Sequence, residues 1–207
     1  MPHLPEYLIN SYEELRPSIR ERLNDFALVP PEKYFYEMCY CICTPQSKAR
    51  SAARVQEYLE SHDFYNNPFD PAPVLRRPEN YIRFHNQKAE RLLRARDQYS
   101  EIESMLLSEF SPPEKRIWLA DNFKGMGMKE SSHFLRNIGY RGLGILDRHV
   151  LKHLVGCELF RTIPQISSPK KYLEIENHFH RFAVNIGINI DELDILFWSW
   201  ETGEILK

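Results

Sequence analysis

A chain of 207 residues, 43% hydrophobic and 27% charged, can form one domain or two small lobes and can bury a core, which excludes wholesale disorder. No apolar run approaches the ~20 residues that span a bilayer, and Met1-Pro2-His3-Leu4-Pro5 has no basic-then-apolar leader pattern. The expectation is a soluble, cytoplasmic protein. A formal net charge of −2 excludes a uniformly basic surface, although a local basic patch is compatible with it.

Apolar residues recur at helical spacing through almost the whole chain, and no alternating strand pattern is present. Ser11-Tyr12-Glu13-Glu14 has capping-box spacing and opens a helix predicted over 11–25, with Pro17 as a blemish. A second helix over 32–43 carries Cys39, Cys41 and Cys43. Alternate positions on a helix point apart and no C-x-x-C pair exists, so these thiols and Cys157 read as buried, reduced cysteines. Helix 46–61 follows. His62 to Pro78, with four prolines, reads as a long loop. Helices over 80–97 and 99–109 come next, and Ser111-Pro112-Pro113-Glu114 is a second capping box that opens helix 113–123. Asn122 to Gly127 is a tight turn into helix 128–138, and Gly139 to Gly144 is a glycine-punctuated link. Helices over 147–156, 169–186 and 190–201 complete an all-α chain.

Charge is segregated along this order. Residues 75–96 hold Arg76, Arg77, Arg83, Lys88, Arg91, Arg94 and Arg96 against Glu79 and Glu90. Residues 124–152 hold Lys124, Lys129, Arg136, Arg141, Arg148 and Lys152 against Glu130 and Asp147. Such stretches suit phosphate contacts, and they also suit ordinary solvated helix faces.

Chemistry concentrates in Phe123-Lys124-Gly125-Met126-Gly127-Met128-Lys129. Two glycines at alternate positions let the backbone turn sharply and present N–H groups beside a helix start, a ready phosphate site. An ordinary αα-hairpin turn fits the same residues. Lys129 stands in the first turn of a helix, where the macrodipole favours acids. It is either a surface lysine or an amine nucleophile whose uncharged form that position favours. Eighteen residues on, Asp147 is a good N-cap and equally a carboxylate able to take a proton or stabilise a cationic sugar. His178 and His180, two apart on a helix, cannot share a metal.

Together the hairpin, Lys129, Asp147 and the run Leu146-Asp147-Arg148-His149-Val150 resemble the helix-hairpin-helix superfamily of base-excision DNA glycosylases. Lys129-Glu130-Ser131-Ser132-His133-Phe134-Leu135-Arg136-Asn137-Ile138-Gly139-Tyr140 and the terminus Trp198-Ser199-Trp200-Glu201-Thr202-Gly203-Glu204-Ile205-Leu206-Lys207 resemble its archaeal-type 8-oxoguanine DNA glycosylase/lyase branch. The likeness runs from about Tyr34 to Lys207. The four-cysteine iron–sulfur loop of many superfamily relatives is missing here, as it is in that branch.

The resemblance implies a two-lobed fold with a cleft between lobes. One lobe would span 44–137 and end in the helix-hairpin-helix, and the other would gather 1–43 and 138–207. It implies that Lys129 attacks the sugar of 8-oxoguanine, expels the base and cleaves the strand through a Schiff base, with Asp147 stabilising the cationic sugar. Phe84 and Trp198 would stack on the flipped-out base, and Lys207 would read its oxidised edge. Gln46 would fill the gap in the duplex, while Gly125, Gly127 and Arg148 would hold phosphates. The implied partner is double-stranded DNA containing 8-oxoguanine or base-free sites, bound by a monomer in the cytoplasm on nucleoid DNA, with no metal or redox cofactor. Two rival readings are a glycosylase/lyase for oxidised pyrimidines and a helix-hairpin-helix DNA-binding module without catalysis.

Overall fold

The computed structural model describes residues 2–207. Among the described residues every regular element is helical and no strand forms. The chain divides into two compact units: Val29–Ile138, and the N-terminal residues through Leu28 together with Gly139–Lys207.

In the Val29–Ile138 unit the first and second helices of its core explain the rest. Helix α2 (Tyr34–Cys43) has every residue after Tyr34 buried, which only a helix covered on all sides can show. It is covered by α3 (Ala49–Ser61), α5 (His85–Asp97) and α8 (Met128–Asn137). Glu37 inside this packing accepts from Gln56 Nε2 at 2.8 Å and from Asn137 Nδ2 at 3.2 Å. One buried carboxylate thus ties three helices together. Short α4 (Ala72–Leu75) packs on α5.

Helix α6 (Tyr99–Leu107) is closed by a lysine from the next helix, α7 (Pro112–Asn122). Lys115 Nζ donates to the carbonyls of Met105, Leu106 and Ser108 at 3.1, 3.0 and 2.6 Å. A cation on the terminal carbonyls satisfies orphan acceptors and complements the macrodipole. Helix α7 starts on the expected capping box, with Ser111 N donating to Glu114 Oε2 at 2.7 Å.

The terminal unit is built around α11 (Ile190–Thr202), whose first eight residues are all buried. It packs on α1 (Glu6–Ala27), α9 (Arg148–Gly156) and α10 (Pro169–Ile186). Helices α10 and α11 both end at a glycine with positive φ, Gly187 at 71° and Gly203 at 75°, the usual left-handed stop.

Several expectations change. Helix α1 starts at Glu6, not Ser11, so Ser11 caps nothing. Pro17 is exposed within it, and the carbonyl its ring leaves unbonded is that of exposed Glu13, which water can satisfy. Helix α3 starts three residues later than expected and α5 starts at His85 instead of 80. The presumed loop from His62 contains α4, started by Asp70 Oδ1 accepting from Ala72 N at 2.9 Å. Residues 29–43, expected beside the chain termini, lie in the Val29–Ile138 unit because α2 is its core.

Candidate active site

The hairpin joins α7 to α8 through Phe123–Gly127. Phe123 and Met126 are buried and anchor it, and Met126 N donates to Phe123 O at 3.2 Å to close the turn. Gly125 has φ +117°, and a Cβ there would meet Arg91 Cδ at 2.6 Å. Conformation and space both require glycine at that position. Gly127 differs from expectation: its φ of −74° and ψ of −177° suit any residue, so it contributes a bare N-cap and not a special turn. No side chain caps α8. Its first N–H groups are left for an external acceptor, which is the arrangement that holds anions.

Lys129 is the second residue of α8. Its side chain is 28% exposed, and Nζ lies 3.0 Å from Glu130 Oε1. In the sequence Glu130 counted only as an acid set against the basic stretch, because an acid in a first turn is ordinary. Its carboxylate borders both the amine and Gly127, where Glu130 Oε2 would stand 3.2 Å from an added Cβ.

In the same unit, Gln46 and Phe84 are exposed and hold left-handed backbone, with φ of 55° and 59°. Gln46 rides on a turn closed by Ser47 N donating to Thr44 O at 2.9 Å. Phe84 is the N-cap of α5 and 45% exposed, with the Arg83 guanidinium 4.8 Å from its ring centre. Such exposure contradicts a core role, and the guanidinium covers one face of the ring. The basic stretches are less uniform than their composition suggests. Lys88 and Arg136 are buried, at 1% and 5% exposure, and cannot serve as phosphate contacts, whereas Arg83 and Lys124 are exposed.

The terminal unit carries the other candidates. Asp147 is the N-cap of α9, and its Oδ1 accepts from His149 N and Val150 N, both at 2.8 Å. One oxygen does all the capping, and Oδ2 makes no bond to the protein among the described residues. Arg148 is exposed, with Nε 3.1 Å from His149 Nε2.

Helices α9 and α11 are clamped by Glu201, a residue that sequence reasoning missed because its partners arrive from another helix. Its carboxylate accepts from Lys152 Nζ at 2.8 and 3.0 Å, and His153 Nε2 and His149 Nδ1 approach to 3.1 and 3.7 Å. The Lys152 bond is the main cause holding the Glu201 carboxyl below its usual range. Burial lowers His153, which stacks on Phe197 at 4.8 Å. Trp198 and Lys207 are both half-buried, Trp198 three residues before the clamp and Lys207 six after. Among the described residues no group of three or more His, Cys, Asp or Glu side chains is placed to hold a metal ion. No helix is long and apolar enough to cross a membrane.

The whole chain is similar to proteins of known name. The family described as 8-oxoguanine DNA glycosylase matches residues 19–188. A protein of Fusobacterium nucleatum named 8-oxoguanine DNA glycosylase/AP lyase is 35% identical over 95% of this chain and 94% of its own length. One of the same name from Methanocaldococcus jannaschii is 33% identical over 97% and 99%. The crystal structure of the M. jannaschii 8-oxoguanine glycosylase/lyase in complex with a 15mer DNA containing 8-oxoguanine superposes with a TM-score of 0.85, at 31% identity over 97% of this chain and 100% of that one. The 8-oxoguanine DNA glycosylase of Thermotoga maritima gives 0.86, at 30% identity over 99% and 100%.

Proposed function

The chain belongs to the 8-oxoguanine DNA glycosylase family, and from that membership we propose how its own residues remove 8-oxoguanine from DNA and cleave the strand. The fold is the helix-hairpin-helix glycosylase fold. We assign its action to a monomer on cytoplasmic DNA, with 8-oxoguanine and base-free sites as substrates. The observation that carries the mechanism is Lys129 at the second position of an uncapped α8, beside Gly127.

The chemistry follows from that position. Backbone N–H groups at the start of α8 and the Gly125 turn hold a phosphate near the lesion. The damaged nucleotide leaves the stack, Gln46 fills the space, and Phe84 and Trp198 stack on the base. Lys129 Nζ attacks C1′ through its lone pair, and the glycosidic bond breaks with its electron pair departing on the base. Asp147, with Oδ2 spare, stabilises the positive charge that develops on the sugar. The amine then loses its proton, the ring opens and a Schiff base forms. Loss of a C2′ proton expels the 3′ phosphate by β-elimination. Lys207 meets the oxidised edge, where 8-oxoguanine has an N7 hydrogen and a C8 carbonyl that guanine lacks. The Lys207 ammonium supplies a donor for that carbonyl.

The test is a panel of duplex oligonucleotides carrying 8-oxoguanine, an oxidised pyrimidine, a base-free site or no damage, each incubated with and without borohydride. Excision and trapped adduct are expected with 8-oxoguanine and the base-free site. Lys129→Gln is expected to abolish the adduct while lesion binding persists. Preference for the oxidised pyrimidine overturns the substrate assignment, and binding without any trapped adduct reduces the protein to a DNA-binding module.

A further inference from the structure

Gln46 and Phe84, both solvent-facing and both left-handed, share one support. Non-glycine residues hold such backbone only where their surroundings over-determine it. Lys88 is buried on α5 and donates from Nζ to Cys43 O at 2.8 Å, Pro45 O at 2.6 Å and Ser47 Oγ at 3.2 Å. An ammonium has three donors, so all three go to the end of α2 and the turn that carries Gln46. Ser47 Oγ accepts in addition from Arg83 N at 3.0 Å, and Arg83 immediately precedes Phe84. A single hydroxyl thus joins the two strained positions to one buried cation.

We propose that Lys88 is a positioning residue: with Ser47 it locks the Gln46 turn and the Phe84 helix start into one rigid DNA-facing edge. This rests on the reading of Gln46 as the residue that enters the duplex. A space-filling role would be met by Met or Leu without desolvating a charge. Burial pushes the Lys88 amine down to about 8, a penalty that an apolar residue avoids. The groups that face it are Cys43 from α2, Arg91 from its own helix, and Lys129 and Glu130 from α8. None is an acid in contact with Nζ, so the three oxygens are what hold the charge.

The experiment compares strand cleavage at a base-free site in duplex and in single-stranded oligonucleotides, because only the duplex has a stack to open and a gap to fill. Lys88→Met is expected to slow duplex cleavage about 30-fold and to leave single-stranded cleavage within about twofold, since releasing a strained turn costs conformational order and not chemistry. In a Gln46→Ala background the same substitution is expected to cost less than about threefold, because coupled residues are not additive. Ser47→Ala, which leaves the buried charge both of its carbonyl partners, is expected to slow duplex cleavage about fivefold and keeps the test open if Lys88→Met does not fold. Equal losses on duplex and single strand, or equal losses with and without Gln46, overturn the proposal. Wild-type protein that cleaves base-free sites but spares 8-oxoguanine refutes the lesion assignment and leaves this inference standing.

Discussion

The starts of α8 and α9 carry the two residues on which the proposed chemistry depends, and they are built in opposite ways. Helix α8 begins on Gly127 with no side-chain cap. It places a lysine where the macrodipole disfavours one and sets Glu130 beside it. Helix α9 begins on Asp147, whose Oδ1 satisfies two N–H groups. Judged by local rules, α9 is complete and α8 is not. An element that violates its local rules retains an electrostatic demand, and the first N–H groups of α8 can donate to an external anion. Asp147 is harder to recognise because its structural role would justify it even without chemistry.

That contrast breaks most sharply at Asp147. Asn caps as well as Asp, so Asp147→Asn is expected to unfold at nearly the wild-type temperature while single-turnover excision falls about a hundredfold or more, the scale of a lost charge at a developing cation. Excision within about twofold of wild type reduces Asp147 to a cap. The α9 side also includes the Glu201 clamp that holds α11 and, beyond it, the terminus. Deleting Lys207 is expected to lower the ratio of 8-oxoguanine to guanine excision on the order of a hundredfold, as when a hydrogen-bonding partner vanishes. Cleavage at base-free sites is expected to survive. An unchanged ratio places discrimination elsewhere.

On the α8 side, Gly125→Ala puts a Cβ into Arg91 at a φ of +117°. Duplex affinity is expected to fall about tenfold for lesion and plain DNA alike, with a shallower salt dependence, because phosphate contacts carry no sequence information. A loss confined to lesion DNA assigns the turn to base recognition instead. The smallest effect is one of pH. Lys88 loses its proton near 8 in the folded chain and near 10.4 when unfolded. Between those values the unfolded chain holds the proton that the folded chain has released, so this group's contribution to stability rises with pH. The penalty is fully present below pH 8. Relative to Lys88→Met, wild-type protein is expected to gain stability from pH 8 to 10, by about 3 kcal/mol at most, measured as a difference in melting temperature. A constant difference shows that Lys88 does not titrate in this range.

Features with a local cause were legible in the sequence. The Ser111 box, the Gly125 turn and the Asp147 cap each leave their mark within four residues, and each is found in place. The left-handed Gln46 and Phe84 leave no mark, because what holds them is Lys88, 43 residues beyond Pro45. Counted as one more surface cation, Lys88 was indistinguishable from its neighbours until tertiary packing was known. The start of α1 was misread for a related reason: Ser11 satisfies a capping pattern, but buried Leu8 draws the helix back to Glu6. Glu201 is one acid in an ordinary terminal turn until α9 brings its lysine and histidines to it.

The heavily packed α2 has a redox consequence. Cys39, Cys41 and Cys43 lie within it fully buried, and Cys157 is buried in the other unit. Desolvation pushes the Cys39 thiol well up, and those of Cys43 and Cys157 up to about 12. Peroxide attacks the thiolate, and at neutral pH a group titrating near 12 presents that form at only ~1 part in 100,000. With no solvent path to the sulfur as well, Cys43 and Cys157 stay reduced under the oxidant load that converts guanine to 8-oxoguanine. The protein therefore keeps its core intact under the conditions in which its substrate accumulates.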